Sequence, residues 1–190
     1  MPSTCALILA AGYSRRFGAD KRQQRLADGR TLLQASLALP CARFDEVWLA
    51  LREDDALPDG LPPQVRVLRS ADSRLGLGHS IAASIARIAQ TSNAEAVALF
   101  LADMPFIQAS TVDALLAQAQ AQRICRPMTQ GQAGHPVVFG RRFWPELAEL
   151  RGDDGARAVL TAHPEAVTRV EVEDPGVLQD IDRPGDLPVL

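Results

Sequence analysis

Residues 5–21 read Cys5-Ala6-Leu7-Ile8-Leu9-Ala10-Ala11-Gly12-Tyr13-Ser14-Arg15-Arg16-Phe17-Gly18-Ala19-Asp20-Lys21, an unbroken apolar segment that runs into small residues, glycines and cations. Cys5 to Ala10 is too short to span a membrane and reads as a strand covered on both faces of a parallel sheet. The residues after Ala10 then form a loop at the carboxyl end of that strand. Ala11 and Gly12 keep side chains out of a ligand's way, Gly18 can take positive φ, and Arg16 and Lys21 can neutralise phosphate oxygens. The pattern suits a polyphosphate cradle, although a strand-to-helix turn with solvated basic residues has the same composition.

Two common phosphate grips are excluded. Five residues rather than four separate Gly12 from Gly18, and Lys21 does not directly follow the second glycine, so this is no Walker loop. A G-x-G-x-x-G fingerprint opening a helix is also missing here, which argues against a dinucleotide-dependent dehydrogenase.

Working outward, apolar runs that read as strands recur at Val47 to Leu51, Val65 to Leu68, Ala96 to Leu101, Pro136 to Phe139 and Val167 to Val172. Helical patterns fall between them, at Thr31 to Leu39, Ser80 to Gln90, Ser110 to Gln122 and Gly155 to His163. Ser110-Thr111-Val112-Asp113 has the spacing of a capping box. Asp54 to Pro63 reads as a surface loop. The alternation predicts an α/β fold, a largely parallel sheet with helices on both faces and a ligand crevice at the strands' carboxyl ends.

A chain of 190 residues with 47% apolar content can bury one substantial core, so a single domain over residues 1–190 is expected. The 20 basic and 23 acidic residues are interspersed, for a net charge of −3, which leaves no footprint for nucleic acid or an anionic membrane. Cys5, Cys41 and Cys125 are far apart with no C-x-x-C pair, which disfavours a disulfide framework or a structural zinc and points to a cytoplasmic chain. The amino terminus carries no signal-peptide pattern.

Leu9 through Lys21 resembles the L-A-A-G-x-S-x-R-x-G-x-x-K signature of the nucleotidyltransferases that include the molybdenum-cofactor cytidylyltransferases. Further segments are similar to that family's motifs in order: Gly76-Leu77-Gly78-His79-Ser80-Ile81, Leu101-Ala102-Asp103-Met104-Pro105, Gly134-His135-Pro136, Gly152-Asp153-Asp154-Gly155-Ala156-Arg157 and Asp180-Ile181-Asp182-Arg183-Pro184. The resemblance implies a three-layer α/β/α Rossmann-like sandwich of the nucleotide-diphospho-sugar transferase type. It also implies a magnesium-dependent transfer of CMP from CTP to the terminal phosphate of molybdopterin, with release of pyrophosphate. The guanylyl-transferring relatives tend to carry Gly-Gly where this chain has Ala11-Gly12, which favours CTP. Arg22-Gln23-Gln24-Arg25 and Ala102 depart from the family pattern, so GTP as donor or a sugar or alditol phosphate as acceptor stays open. A molybdenum hydroxylase apo-enzyme is an implied partner, and a non-catalytic escort of the cofactor is a further alternative.

The site residues follow from both lines. Asp103 ends an apolar run and would project into the crevice; magnesium takes one or two protein carboxylates with phosphate oxygens and water. A bare turn cap before Pro105 is the competing role. If Asp180-Ile181-Asp182 is extended, both aspartates share a side while Ile181 faces inward, so either could complete a metal site with Asp103. The resemblance assigns catalysis to Arg16, Lys21 and Asp103, and nucleotide contacts to Leu9, Ala10, Ala11, Gly12, Ser14, Gly78 and Ser80. Ser80 could equally be a helix N-cap. His79 reads as a loop residue lining the pocket, and His135 as either an acceptor contact or a turn histidine. Gly78-His79-Ser80-Ile81-Ala82 lacks the last glycine of a nucleophile elbow, which disfavours a serine hydrolase.

Overall fold

The computed structural model describes residues 3–12, 20–182 and 186. Tyr13 to Ala19, with Ser14, Arg16 and Gly18 among them, lie outside the described residues, as do Arg183 and Pro184. The strands are β1 (Thr4–Leu9), β2 (Val47–Arg52), β3 (Val65–Ser70), β4 (Ala96–Leu101), β5 (Ile124–Thr129), β6 (Gln132–Ala133), β7 (Val137–Gly140) and β8 (Val167–Glu171). They form one eight-stranded sheet in the order β3-β2-β1-β4-β7-β5-β6, with β8 also paired to β5.

The opening apolar stretch is an interior strand, and alternate side chains of a strand point to opposite faces. Cys5, Leu7 and Leu9 therefore enter one buried cluster, while Ala6, Ile8 and Ala10 enter the other. Helices cover both clusters: α1 (Leu32–Arg43) and α3 (Ala109–Gln118) lie on the Ile8 side, α2 (Leu77–Thr91), α4 (Trp144–Leu147) and α5 (Arg157–Ala162) on the Leu7 side. This is the three-layer α/β/α arrangement.

The sheet is largely parallel, as expected, with antiparallel pairings around β7 and β6. β3, β2, β1 and β4 run parallel, whereas β7 is antiparallel to both β4 and β5. β5 was hidden in the sequence because Arg126 and Pro127 interrupt its apolar residues, and proline ordinarily demotes a strand. The Pro127 carbonyl nonetheless accepts from the Gly134 amide at 2.9 Å.

Several local expectations are corrected. The reciprocal capping box lies at Thr31, whose hydroxyl accepts from the Gln34 amide while the Gln34 side chain accepts from the Thr31 amide. That helix then runs through Pro40 to Arg43 instead of stopping at Leu39. Ser110 caps nothing; α3 begins at Ala109 behind Gln108 and ends at Gln118. Buried Asp174 holds its amino end from a distance, accepting from the Gln108 amide at 2.8 Å and the Thr111 hydroxyl at 2.7 Å. α2 starts at Leu77, so Ser80 is a helix-interior residue and not the N-cap, and His79 is helical rather than part of a loop. Cys5, Cys41 and Cys125 are free thiols, and among the described residues no helix is long and apolar enough to cross a membrane.

Candidate active site

The strand order reverses at β1, which lies between β2 and β4, and ligands of α/β sheets settle where such a reversal opens a crevice at the strands' carboxyl ends. A cavity of about 430 Å³ occupies that place. Leu9, Ala10, Ala11 and Gly12 line it from the end of β1, Asp103 from the end of β4, Ser80 from α2, and Lys21 and Arg22 from the turn after the first loop. Among the described residues nothing stands within 4 Å of a Cβ built on Gly12, so on their side the backbone there is open to a ligand. The Ser80 hydroxyl oxygen is buried and has no hydrogen-bond partner among the described residues.

Three segments distant in sequence meet at Lys21. Its ammonium donates to Asp103 Oδ2 at 2.6 Å, to Asp182 Oδ1 at 3.1 Å and to the Ile181 carbonyl at 3.2 Å. The Ile181 amide donates to the Asp103 carbonyl at 2.9 Å, which fixes the carboxyl-terminal segment beside the end of β4. Ile181 is buried, as an extended Asp180-Ile181-Asp182 requires, and Asp180 is exposed. Burial alone would lower the pKa of the Lys21 ammonium, but the neighbouring Asp103 carboxylate raises it, so Lys21 is a cation at neutral pH.

The donor set suits a hard divalent cation. Asp103 Oδ1 is buried with no partner among the described residues, and Asp103 with Asp182 offers carboxylate oxygens of the kind magnesium takes. Among the described residues no group of three or more His, Cys, Asp or Glu is placed to hold a metal ion. A cation held by this pair would complete its shell with phosphate oxygens and water.

Arg22, not singled out as a site residue from sequence, locks this corner. Its guanidinium donates to Asp55 Oδ2 at 2.5 Å and Oδ1 at 2.8 Å, to the Ala10 carbonyl at 2.9 Å, and to both carboxylate oxygens of Asp20 at 2.8 Å. The turn that carries Lys21 is thereby tied to the ends of β1 and β2. Asp55 is only 8% exposed, so the stretch read as a surface loop buries one carboxylate. No apolar or motif signal marked it.

A second cavity, of about 470 Å³, shares Leu9, Leu77 and Leu101 with the first. His135 lines it for a structural reason. From Cys125 to Met128 on β5 is three steps, but their partners Val138 and Ala133 are five apart, so two extra residues bulge between β6 and β7. Bulges re-aim side chains. Burial, then the charge of Arg126, pushes the His135 pKa down to about 4 against the opposing charge of Asp180, so the ring is neutral at pH 7. Its Nδ1 is buried and has no hydrogen-bond partner among the described residues.

Gly78 does not line either cavity; it lets two of the motif segments touch. Its amide donates to the Gly152 carbonyl at 2.8 Å, and an added Cβ would lie 2.6 Å from the Arg151 carbonyl oxygen. Gly76, at φ 130°, packs against Gly152 and Asp153 in the same way.

The sequence profile of the MobA-like NTP transferase domain matches residues 6–167. The chain belongs to this family. It is a nucleotidyltransferase of the MobA-like superfamily. The purine catabolism protein PucB of Bacillus subtilis is 30% identical over 96% of this chain and 93% of its own length. The nicotine blue oxidoreductase of Paenarthrobacter nicotinovorans is 28% identical with the same coverage of both chains. The 2-C-methyl-D-erythritol 4-phosphate cytidylyltransferase of Deinococcus radiodurans is 33% identical over 75% of this chain and 62% of its own. Among solved structures, Rv0371c of Mycobacterium tuberculosis in complex with manganese superposes on this MobA-like chain with a TM-score of 0.75 at 26% identity, covering 97% and 95% of the two chains.

Proposed function

We propose that this MobA-like chain transfers the CMP moiety of CTP to the phosphate of a phosphomonoester acceptor and releases pyrophosphate. One observation carries the reading: Lys21, Asp103 and Asp182 converge beside a cavity floored by the small-residue loop after β1. In this reading the backbone at Gly12 admits the triphosphate, and Lys21, with Arg16, neutralises its oxygens. Ala11 and the Ser80 hydroxyl contact the nucleoside. Asp103 and Asp182 are the residues that would hold a magnesium ion, which would supply charge neutralisation on the phosphate oxygens. Asp180 is exposed, while the Lys21 ammonium bonds to its neighbours Ile181 and Asp182, so Asp180 is the weaker ligand.

The acceptor enters through the second cavity. An oxygen of its phosphate attacks the α-phosphorus in line, a new P–O bond forms, and the bond to the β-phosphate bridging oxygen breaks. A phosphate nucleophile is already anionic near pH 7, so positioning and charge stabilisation are what the protein must provide. Neutral His135 offers a hydrogen bond to the acceptor without adding or removing a proton.

Two acceptors belong to this class. The motifs between Gly76 and Asp182 favour molybdopterin, and delivery of the product to a molybdenum hydroxylase would follow. The erythritol-phosphate cytidylyltransferase likeness favours an alditol phosphate and supports cytidine as the base. The deciding experiment offers CTP, GTP, ATP and UTP separately with magnesium and either molybdopterin or 2-C-methyl-D-erythritol 4-phosphate, and measures pyrophosphate. Release with CTP and one acceptor is expected; no release with any pair would leave the escort alternative.

A further inference from the structure

The second cavity continues past His135. It shares Arg126, Arg157 and Leu160 with a third cavity of about 400 Å³, whose wall adds Arg169. Arg126 and Arg169 are direct register partners on the parallel strands β5 and β8. Neighbouring strand positions in register put their side chains on one face, and like charges placed so repel. Both arginines line the third cavity, together with Arg157 from the start of α5. Among the described residues no carboxylate forms an ion pair with any of the three, and Arg126 has only a 3.4 Å hydrogen bond to the Gly134 carbonyl. The acidic groups on this side include Glu171, two residues beyond Arg169, Asp154 on the second cavity, and Asp180, whose charge reaches His135 beside Arg126. Three guanidiniums gathered on a concave surface, two of them in register and none in an ion pair with a described carboxylate, form a site for an anion.

We propose that Arg126, Arg157 and Arg169 bind a second anionic group of the acceptor, at the end of the cavity remote from the nucleotide. The acceptor class is thereby narrowed to molecules with a reacting phosphate at one end, a body that fits the apolar middle of the second cavity at Leu99 and Phe139, and another anion beyond it. This rests on the nucleotidyltransferase reading for what the second cavity holds; the anion site itself does not.

The test tracks arginine Nε–H resonances by NMR as inorganic phosphate is added, with assignments from Arg126→Gln and Arg169→Gln. One saturating curve at both Arg126 and Arg169 is expected in the wild type, weakened at least five-fold at Arg126 in Arg169→Gln and partly restored in Arg169→Lys. A curve unchanged in Arg169→Gln, or no saturation, overturns the proposal. Hexaglutamate saturating the same signals at lower concentration than phosphate would make the patch a peptide-docking surface and would overturn it too. CTP affinity, measured in parallel, is expected to be equal in wild type and Arg169→Gln; a wild type that binds CTP but gives no saturating phosphate curve condemns the anion site alone, whereas a wild type that does not bind CTP condemns the nucleotidyltransferase reading.

Discussion

Arg22 and Asp55 face each other end-on through two hydrogen bonds, Nη1 to Oδ2 and Nη2 to Oδ1, with both residues about 8% exposed. The pair ties the turn bearing Lys21 to the end of β2, where Arg52 adds bonds of 3.0 and 2.6 Å to Asp55 Oδ1. Removing one partner of a buried pair strands the other charge, at a cost of about 3–5 kcal/mol. Asp55→Asn is expected to lower unfolding free energy by roughly 3 kcal/mol in urea titrations. Burial would raise the Asp55 pKa, but the Arg22 and Arg52 hydrogen bonds outweigh it and hold the carboxyl well below the usual range. Its stabilising contribution is therefore complete above about pH 4, the unfolded value, and is lost as pH falls below it. The wild type should lose more stability than Asp55→Asn between pH 5 and pH 3, and equal losses would refute the assignment.

Gly78 predicts a purely steric effect. Gly78→Ala places a methyl group against the Arg151 and Gly152 backbone, which has no flexible tip to swing aside. Such overpacking costs roughly 1–3 kcal/mol. Thermal unfolding should show that loss, and the KM for CTP should rise as α2 shifts away from the loop and carries Ser80 with it. A variant as stable as wild type would mean the loop moves freely.

His135 predicts a pH response of the opposite residue type but the same sign. With a folded-state pKa of about 4 against about 6.5 unfolded, the neutral ring is stabilising above pH 6.5 and that contribution is lost as pH falls toward 4. The loss is of order 3 kcal/mol, absent in His135→Phe. The ring titration observed by NMR should have its midpoint near 4; a midpoint near 6.5 would place His135 in solvent.

How much of the fold and site was legible depends on what each residue must do. β1 and β4 were readable because both faces are buried, so their apolar runs are unbroken. β5 was not, because Arg126 turns to line a cavity instead of entering the core and Pro127 keeps its place in the ladder. The Ser110 capping pattern misled because the amino end of α3 is held by Asp174, a contact over 66 residues that no local spacing encodes. The meeting of Lys21 with Asp103 and Asp182 likewise spans separations of 82 and 161 residues. It was anticipated through resemblance to a family, not from spacing. Asp55 gave no sign at all, since an aspartate in a proline- and glycine-rich stretch looks solvated until Arg22 is seen above it.

The most direct measurement is kcat/KM for pyrophosphate release from CTP, with magnesium and acceptor, in Asp103→Asn, Asp182→Asn and Asp180→Asn, each checked for folding by circular dichroism. Asp103→Asn is expected to fall by about 100-fold or more, Asp182→Asn by a comparable order, and Asp180→Asn to stay within about three-fold of wild type. Wild-type turnover in folded Asp103→Asn would contradict the assignment of Lys21, Asp103 and Asp182 to a single catalytic centre.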